Sequence, residues 1–156
     1  MMKLNPETDL ELVRHLKAPP AKVWRCWTEP KLVEQWFAPK PVVTRDVSID
    51  LRPGGSFITT MDIPDHGSMT GHGCFLDIAP ERRLVWTDLL MGDWRPAGQS
   101  FGFTAYIFLE PEGTGTLYRA VALHLTPEKR AEHEKMGFHD GWGTAAEQLD
   151  TLAVTL

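Results

Sequence analysis

Between residues 9 and 17 the chain alternates with period two. Leu10, Leu12, Arg14 and Leu16 share one side, and Glu11, Val13, His15 and Lys17 the other. Period two predicts a strand with one face on a core. Ala18-Pro19-Pro20 stops it, and Val23, Trp24 and Trp27 then recur at helical spacing over about 20–28. Thr28-Glu29-Pro30 breaks that helix, and Pro30 suits the first position of a second one ending near Trp36. Six more alternating stretches follow, at 42–51, 56–63, 69–78, 84–90, 103–109 and 116–125. The turns between them are rich in Gly and Pro: Arg52-Pro53-Gly54-Gly55, Pro64 to Gly67, Ala79 to Arg82, the longer loop 91–100, and 110–114.

From Thr126-Pro127 the period lengthens again. A helical segment carrying Ala131, His133 and Met136 is interrupted at Gly137. A final helix from His139 or Asp140 to about Val154 places Trp142, Ala145, Ala146, Leu149, Leu152, Ala153 and Leu156 on one face. Glu147, Gln148, Asp150 and Thr151 fall on the other. The order is β-α-α-β-β-β-β-β-β-α. Strands joined by short turns imply an antiparallel meander, and its apolar side needs a cover. The last helix is the one long enough. Its small residues let it lie close against the sheet, so the expected architecture is an α+β sheet gripping a helix.

A chain of 156 residues, 42% hydrophobic and 24% charged, is expected to form one domain spanning 1–156. Its net charge of −5 and the lack of a Lys/Arg-rich run argue against a nucleic-acid partner. No apolar run reaches the ~20 residues of a membrane span, and the first residues lack a signal-peptide core. A cytoplasmic location is expected. Cys26 and Cys74 stand alone among apolar neighbours and are read as buried thiols.

Four stretches resemble one family: VWRCWTEPKLVEQWF from Val23, DLRPGG from Asp50, GCFLDIAPERRLVWTD from Gly73 and HEKMGFHDGW from His133. Together, in this order, the chain resembles the activator of heat-shock protein 90 ATPase homologue-like family. That family falls within the START-like, helix-grip group that also holds polyketide cyclases and lipid-transfer proteins. The resemblance implies a curved seven-stranded antiparallel sheet around a long C-terminal helix, with two short helices between strands 1 and 2. It also implies a space between sheet and helix that, in related folds, holds an apolar ligand.

Candidate cavity residues follow from inward faces. Phe57, Met61, Trp86, Met136, Phe138 and Trp142 are expected to line it, since aromatic and thioether side chains make apolar walls. Trp94, a large apolar residue in a Gly/Pro loop, is a candidate lid. Arg14, Asp88 and His124 each interrupt an otherwise apolar strand face, and buried polar groups need partners or ligands. If all three faces point inward they meet in the cavity, where Asp88 and His124 would orient a ligand. His124, His133, His139 and Asp140, with His72, invite a metal reading. However, six residues and Gly137 separate His133 from His139, which sets them on different faces. No metal and no cofactor is expected, and His139 and Asp140 are read as capping the closing helix.

No G-x-S-x-G elbow, phosphate loop or H-E-x-x-H is present. Three functions remain: binding of a small apolar or aromatic molecule, a chaperone-associated interaction, or a cyclase- or hydrolase-type enzyme using cavity acid–base residues. The first is the reading adopted, with no catalytic residue assigned.

Overall fold

The computed structural model describes residues 2–156. In chain order they form β1 (Asp9–Leu16), α1 (Pro20–Thr28), α2 (Pro30–Trp36), β2 (Val43–Ile49), β3 (Ser56–Ile63), β4 (Gly67–Ala79) and β5 (Arg83–Thr87). Then come β6 (Leu90–Met91), β7 (Arg95–Pro96), β8 (Phe103–Glu112), β9 (Gly115–His124), α3 (Pro127–Lys135) and α4 (Phe138–Ala153). Seven strands make one open antiparallel sheet in the order β1-β9-β8-β5-β4-β3-β2, and β6 and β7 pair separately. The first strand lies against the last, with Leu10 opposite Ala122 and Leu12 opposite Ala120. The helices α1 and α2 carry the chain from that edge to β2 at the opposite edge. Among the described residues no helix is long and apolar enough to cross a membrane.

The inner face of the sheet carries Leu10, Leu12, Phe57, Leu84, Trp86, Ala105, Ile107, Tyr118, Ala120 and Ala122, all buried. Against it α4 sets Ala145, Ala146, Leu149 and Ala153, also buried. The alanines matter because β8 and β9, with Ala105, Ala120 and Ala122, then present a shallow surface beneath the helices. Gly143 extends the same logic: a Cβ there would stand 2.7 Å from the Arg14 guanidinium, so the side chain of Arg14 passes beneath α4 at a point with no side chain. Two polar residues of α4 fasten the ends of the helix pair. Asp150 accepts the Lys17 and Ala18 amides, at 2.9 and 3.0 Å. Gln148 donates to the Trp36 and Ala38 carbonyls and accepts from the Lys40 amide.

Three local expectations change. β2 carries a register shift between Arg45 and Ser48, where Asp46 adopts a positive φ of 52°. β5 ends at Thr87, and the loop expected over 91–100 contains the β6–β7 pair instead. α4 starts at Phe138, because Gly137 in the left-handed region (φ 96°) reverses the chain ahead of it. No side chain caps that end, so neither Asp140 nor His139 performs the expected role. The imidazole of His139 packs edge-on against Phe138.

Candidate functional site: an aromatic cavity under the closing helix

Between the sheet and the helices lies a cavity of about 1080 Å³. Its wall is a nearly continuous run of rings. Phe37 meets Phe57 edge to face at 5.6 Å, Phe57 meets Trp86 at 5.2 Å, Trp86 meets Phe103 at 5.4 Å, and Phe103 meets Trp142 at 6.0 Å. Such pairs lock one another's orientation and add to the energy of burial. Trp27, Trp36 and Tyr118 close the deep part and are almost fully buried. The space itself has a sequence cause. Across the β3–β4 register, Gly73 stands opposite Phe57 and Gly71 opposite Thr59. Two positions on β4 therefore contribute no side chain to a face where their partners contribute a phenylalanine and a threonine.

The entrance has a different character. Met69, Met91 and Met136 line it with 52%, 37% and 68% of their surface exposed. With Met61 beside them, every methionine beyond residue 2 faces this cavity. Gln99, Ser100, His72 and Lys129 supply polar groups there, and the Lys129 ammonium sits 5.0 Å above the Phe101 ring.

Of the residues singled out from the sequence, Phe57, Met61, Trp86, Asp88, Met136 and Trp142 line the cavity. Phe138 and His124 do not. Phe138 lies behind Trp142, ring against ring at 4.6 Å, and is 1% exposed. Trp94 does not line the cavity and is half exposed. Its indole covers Gly54, where a Cβ would come within 2.6 Å of the ring nitrogen, so it seals the Arg52–Gly55 turn and leaves the entrance uncovered. Gly54 is therefore required twice, for its positive φ of 84° and for that contact.

Arg14, Asp88 and His124 do not converge. Arg14 pairs across the sheet with Tyr118, and six residues of β9 set Tyr118 roughly 20 Å from His124. Asp88 and His124 do lie at one end of the sheet, on either side of Phe103. Yet the Asp88 carboxylate is occupied: it accepts the backbone amides of Phe101, Gly102 and Phe103 at 2.8 to 3.1 Å. It anchors the segment that forms one lip of the cavity. A carboxylate so engaged has a structural duty and little capacity left for a ligand.

His124 is committed in another way. Its Nδ1 lies 2.8 Å from the Thr8 carbonyl and its Nε2 lies 2.8 Å from His133 Nδ1. A carbonyl only accepts, so His124 Nδ1 carries a proton. In the neutral pair His124 Nε2 then accepts from His133 Nδ1–H. His133, on α3, is boxed by Phe101, Phe103, Phe138 and Trp142. Burial, followed by the neighbouring imidazole, pushes its pKa down to about 4. This pair, with the Arg130 guanidinium that donates to the Asp9 carbonyl at 3.1 Å, ties α3, which buries no residue of its own, to the sheet. Sequence reasoning weighed both histidines as metal ligands and His124 also as a group orienting a ligand beside Asp88, but not as a pair bonded to each other. Among the described residues no group of three His, Cys, Asp or Glu side chains is placed to hold a metal ion. Cys26 is fully buried, and burial raises its thiol pKa to about 11.

An open antiparallel sheet closed by one C-terminal helix, with a cavity between them, defines a helix-grip domain. A family model described as activator of Hsp90 ATPase homolog 1-like protein matches residues 17–153, and the chain belongs to that family. It is similar to a Nitrosomonas europaea protein of known crystal structure, 46% identical with 97% of each chain covered and a TM-score of 0.94. A Rhodobacter sphaeroides protein shares the fold at 20% identity and TM-score 0.83, over 99% of this chain and 98% of that one. So does an AHSA1-like protein from Aeromonas hydrophila, at 19% identity and TM-score 0.71, over 92% and 90%. No curated protein matches the chain.

Proposed function

We propose that the protein binds a small, mainly apolar molecule in the cavity between sheet and helix. The observation that carries this reading is a space of about 1080 Å³ walled by aromatic rings. That is the size and lining of a site for a drug-sized ligand. Aromatic walls offer area for stacking, and the absence of side chains at Gly71 and Gly73 keeps that area clear. The two acid–base candidates near the deep cavity, Asp88 and His124, are already engaged, which supports binding over turnover. Asp88 is engaged by three amides and His124 by Thr8 and His133. Neither is left free to exchange a proton with a substrate.

The test is a titration with naphthalene derivatives, read by tryptophan fluorescence, on wild type and Gly71→Leu. A Cβ at Gly71 meets only the Thr59 hydroxyl at 3.6 Å, so a leucine fits the strand and projects into the space. Saturable one-to-one binding in wild type, weakened at least about tenfold by the plug, is expected, equivalent to some 1.4 kcal/mol. Equal response of both proteins would place the binding elsewhere and refute the proposal.

A further inference from the structure

We propose that the bound molecule carries an uncharged hydrogen-bond-accepting oxygen, of the carbonyl or ether kind, and that the indole N–H of Trp86 recognises it. The inference rests on the cavity being a binding site and adds the polarity of its occupant.

Three of the four tryptophans in the wall make the contrast. Trp27 Nε1 donates to the Tyr118 hydroxyl at 3.0 Å, and Trp36 Nε1 donates to the Cys26 carbonyl at 2.8 Å. Trp86 lines the same cavity at 7% exposure, yet its Nε1 is buried without a hydrogen-bond partner. Buried indole N–H groups are ordinarily paired, because losing water without a replacement is costly. The nearest carboxylate in sequence, Asp88, offers no relief, since its oxygens are taken by the amides of Phe101, Gly102 and Phe103.

Tyr118, also polar and deep in the wall, points the same way. The Tyr118 oxygen already accepts from Trp27, which leaves its own proton to donate. Burial raises the Tyr118 pKa, so the hydroxyl stays protonated. Trp86 and Tyr118 are thus donors awaiting an acceptor, and the Thr59 hydroxyl, also in the wall, can donate as well as accept. A carboxylate is the wrong acceptor. An anion brought among these rings loses its hydration without a cation to replace it, and Lys129 stands at the entrance beside Phe101.

A matched pair of probes tests this: 2-acetylnaphthalene and 2-ethylnaphthalene, alike in shape and differing in the ketone oxygen. Dissociation constants are measured for wild type, Trp86→Phe and Trp86→benzothienylalanine, the last replacing N–H by sulfur at nearly unchanged shape. Dividing the ketone-to-hydrocarbon preference of wild type by that of the variant cancels the ligands' own difference in hydration. A quotient of roughly three- to thirty-fold in favour of the ketone is expected, the size of one buried hydrogen bond. A quotient of one, with both probes binding, overturns the role of Trp86 and leaves the binding site standing. Failure of both probes to bind wild type overturns the binding site itself, and this inference with it.

Discussion

Acidification from pH 7.5 to pH 5 is expected to destabilise this fold through His133. In the unfolded chain the imidazole has its ordinary pKa of 6.5, and in the folded protein about 4. Between those values the unfolded state binds the proton and the folded state does not, so stability falls as pH falls. The contribution is intact above pH 6.5, declines through the interval and stops changing below about 4. At pH 5 the unfolded group is nearly saturated and the folded one mostly neutral, which amounts to roughly 2 kcal/mol at about 1.4 kcal/mol per unit. His133 is half-buried and Glu132 opposes the shift, so about 1–2 kcal/mol is the working figure. The assay is urea unfolding of wild type and His133→Phe at both pH values. Phenylalanine suits a site already enclosed by Phe101, Phe103, Phe138 and Trp142. Because other titrating groups act on both proteins, the quantity of interest is the extra loss in wild type, about half to one molar in the urea midpoint. A gap between the two proteins that is independent of pH would refute the reasoning.

Asp88→Asn removes the charge that three amides share, and should cost roughly 1.5–3 kcal/mol. Hydrogen exchange should speed at Phe101, Gly102 and Phe103, with the β8–β9 ladder beyond them unchanged; a uniform increase across the sheet would contradict the local anchor. Leu149→Ala, at a position 0% exposed, should cost about 2–5 kcal/mol in the same urea assay. A loss under about 1 kcal/mol would mean that α4 does not close the core.

The sheet was legible because its alternation is strict where one face is buried. Leu10, Leu12 and Leu16 on β1, and Tyr118, Ala120 and Ala122 on β9, lie inward at the period the chain displays. The pattern failed where the backbone leaves the regular path. Asp46 takes a positive φ that a residue-type pattern does not announce, and Gly137 moves the start of α4 to Phe138. The site was read unevenly for a related reason. Large side chains on inward strand faces, Phe57, Met61 and Trp86, could be assigned to the cavity, since facing follows from period, whereas Phe138 at the start of α4 falls behind Trp142. Polar residues could not be given roles, since a role depends on partners. Asp88 is spent on amides thirteen to fifteen residues along the chain. His124 is tied to Thr8, across the sheet edge, and to His133 on the next helix. Both bonds depend on a tertiary arrangement that no spacing encodes. The shared face of Tyr118, Ala120 and Ala122 was visible, but its bond to Trp27 was not.

The pairing of β1 with β9 also sets the order in which the molecule can be made. Residue 9 finds its place opposite residue 123, and the Lys17 and Ala18 amides find theirs on Asp150. During synthesis β1 therefore leaves the ribosome with Leu10, Leu12 and Leu16 uncovered, and must wait for most of the remaining chain before either its edge or its face is satisfied. The hairpins β3–β4 and β8–β9 need only short loop closures and can assemble meanwhile. The final event joins the two ends of the sequence, a non-local step of the kind that slows folding. In that interval the first strand is an unpaired strand with an apolar face, the kind of edge that invites aggregation.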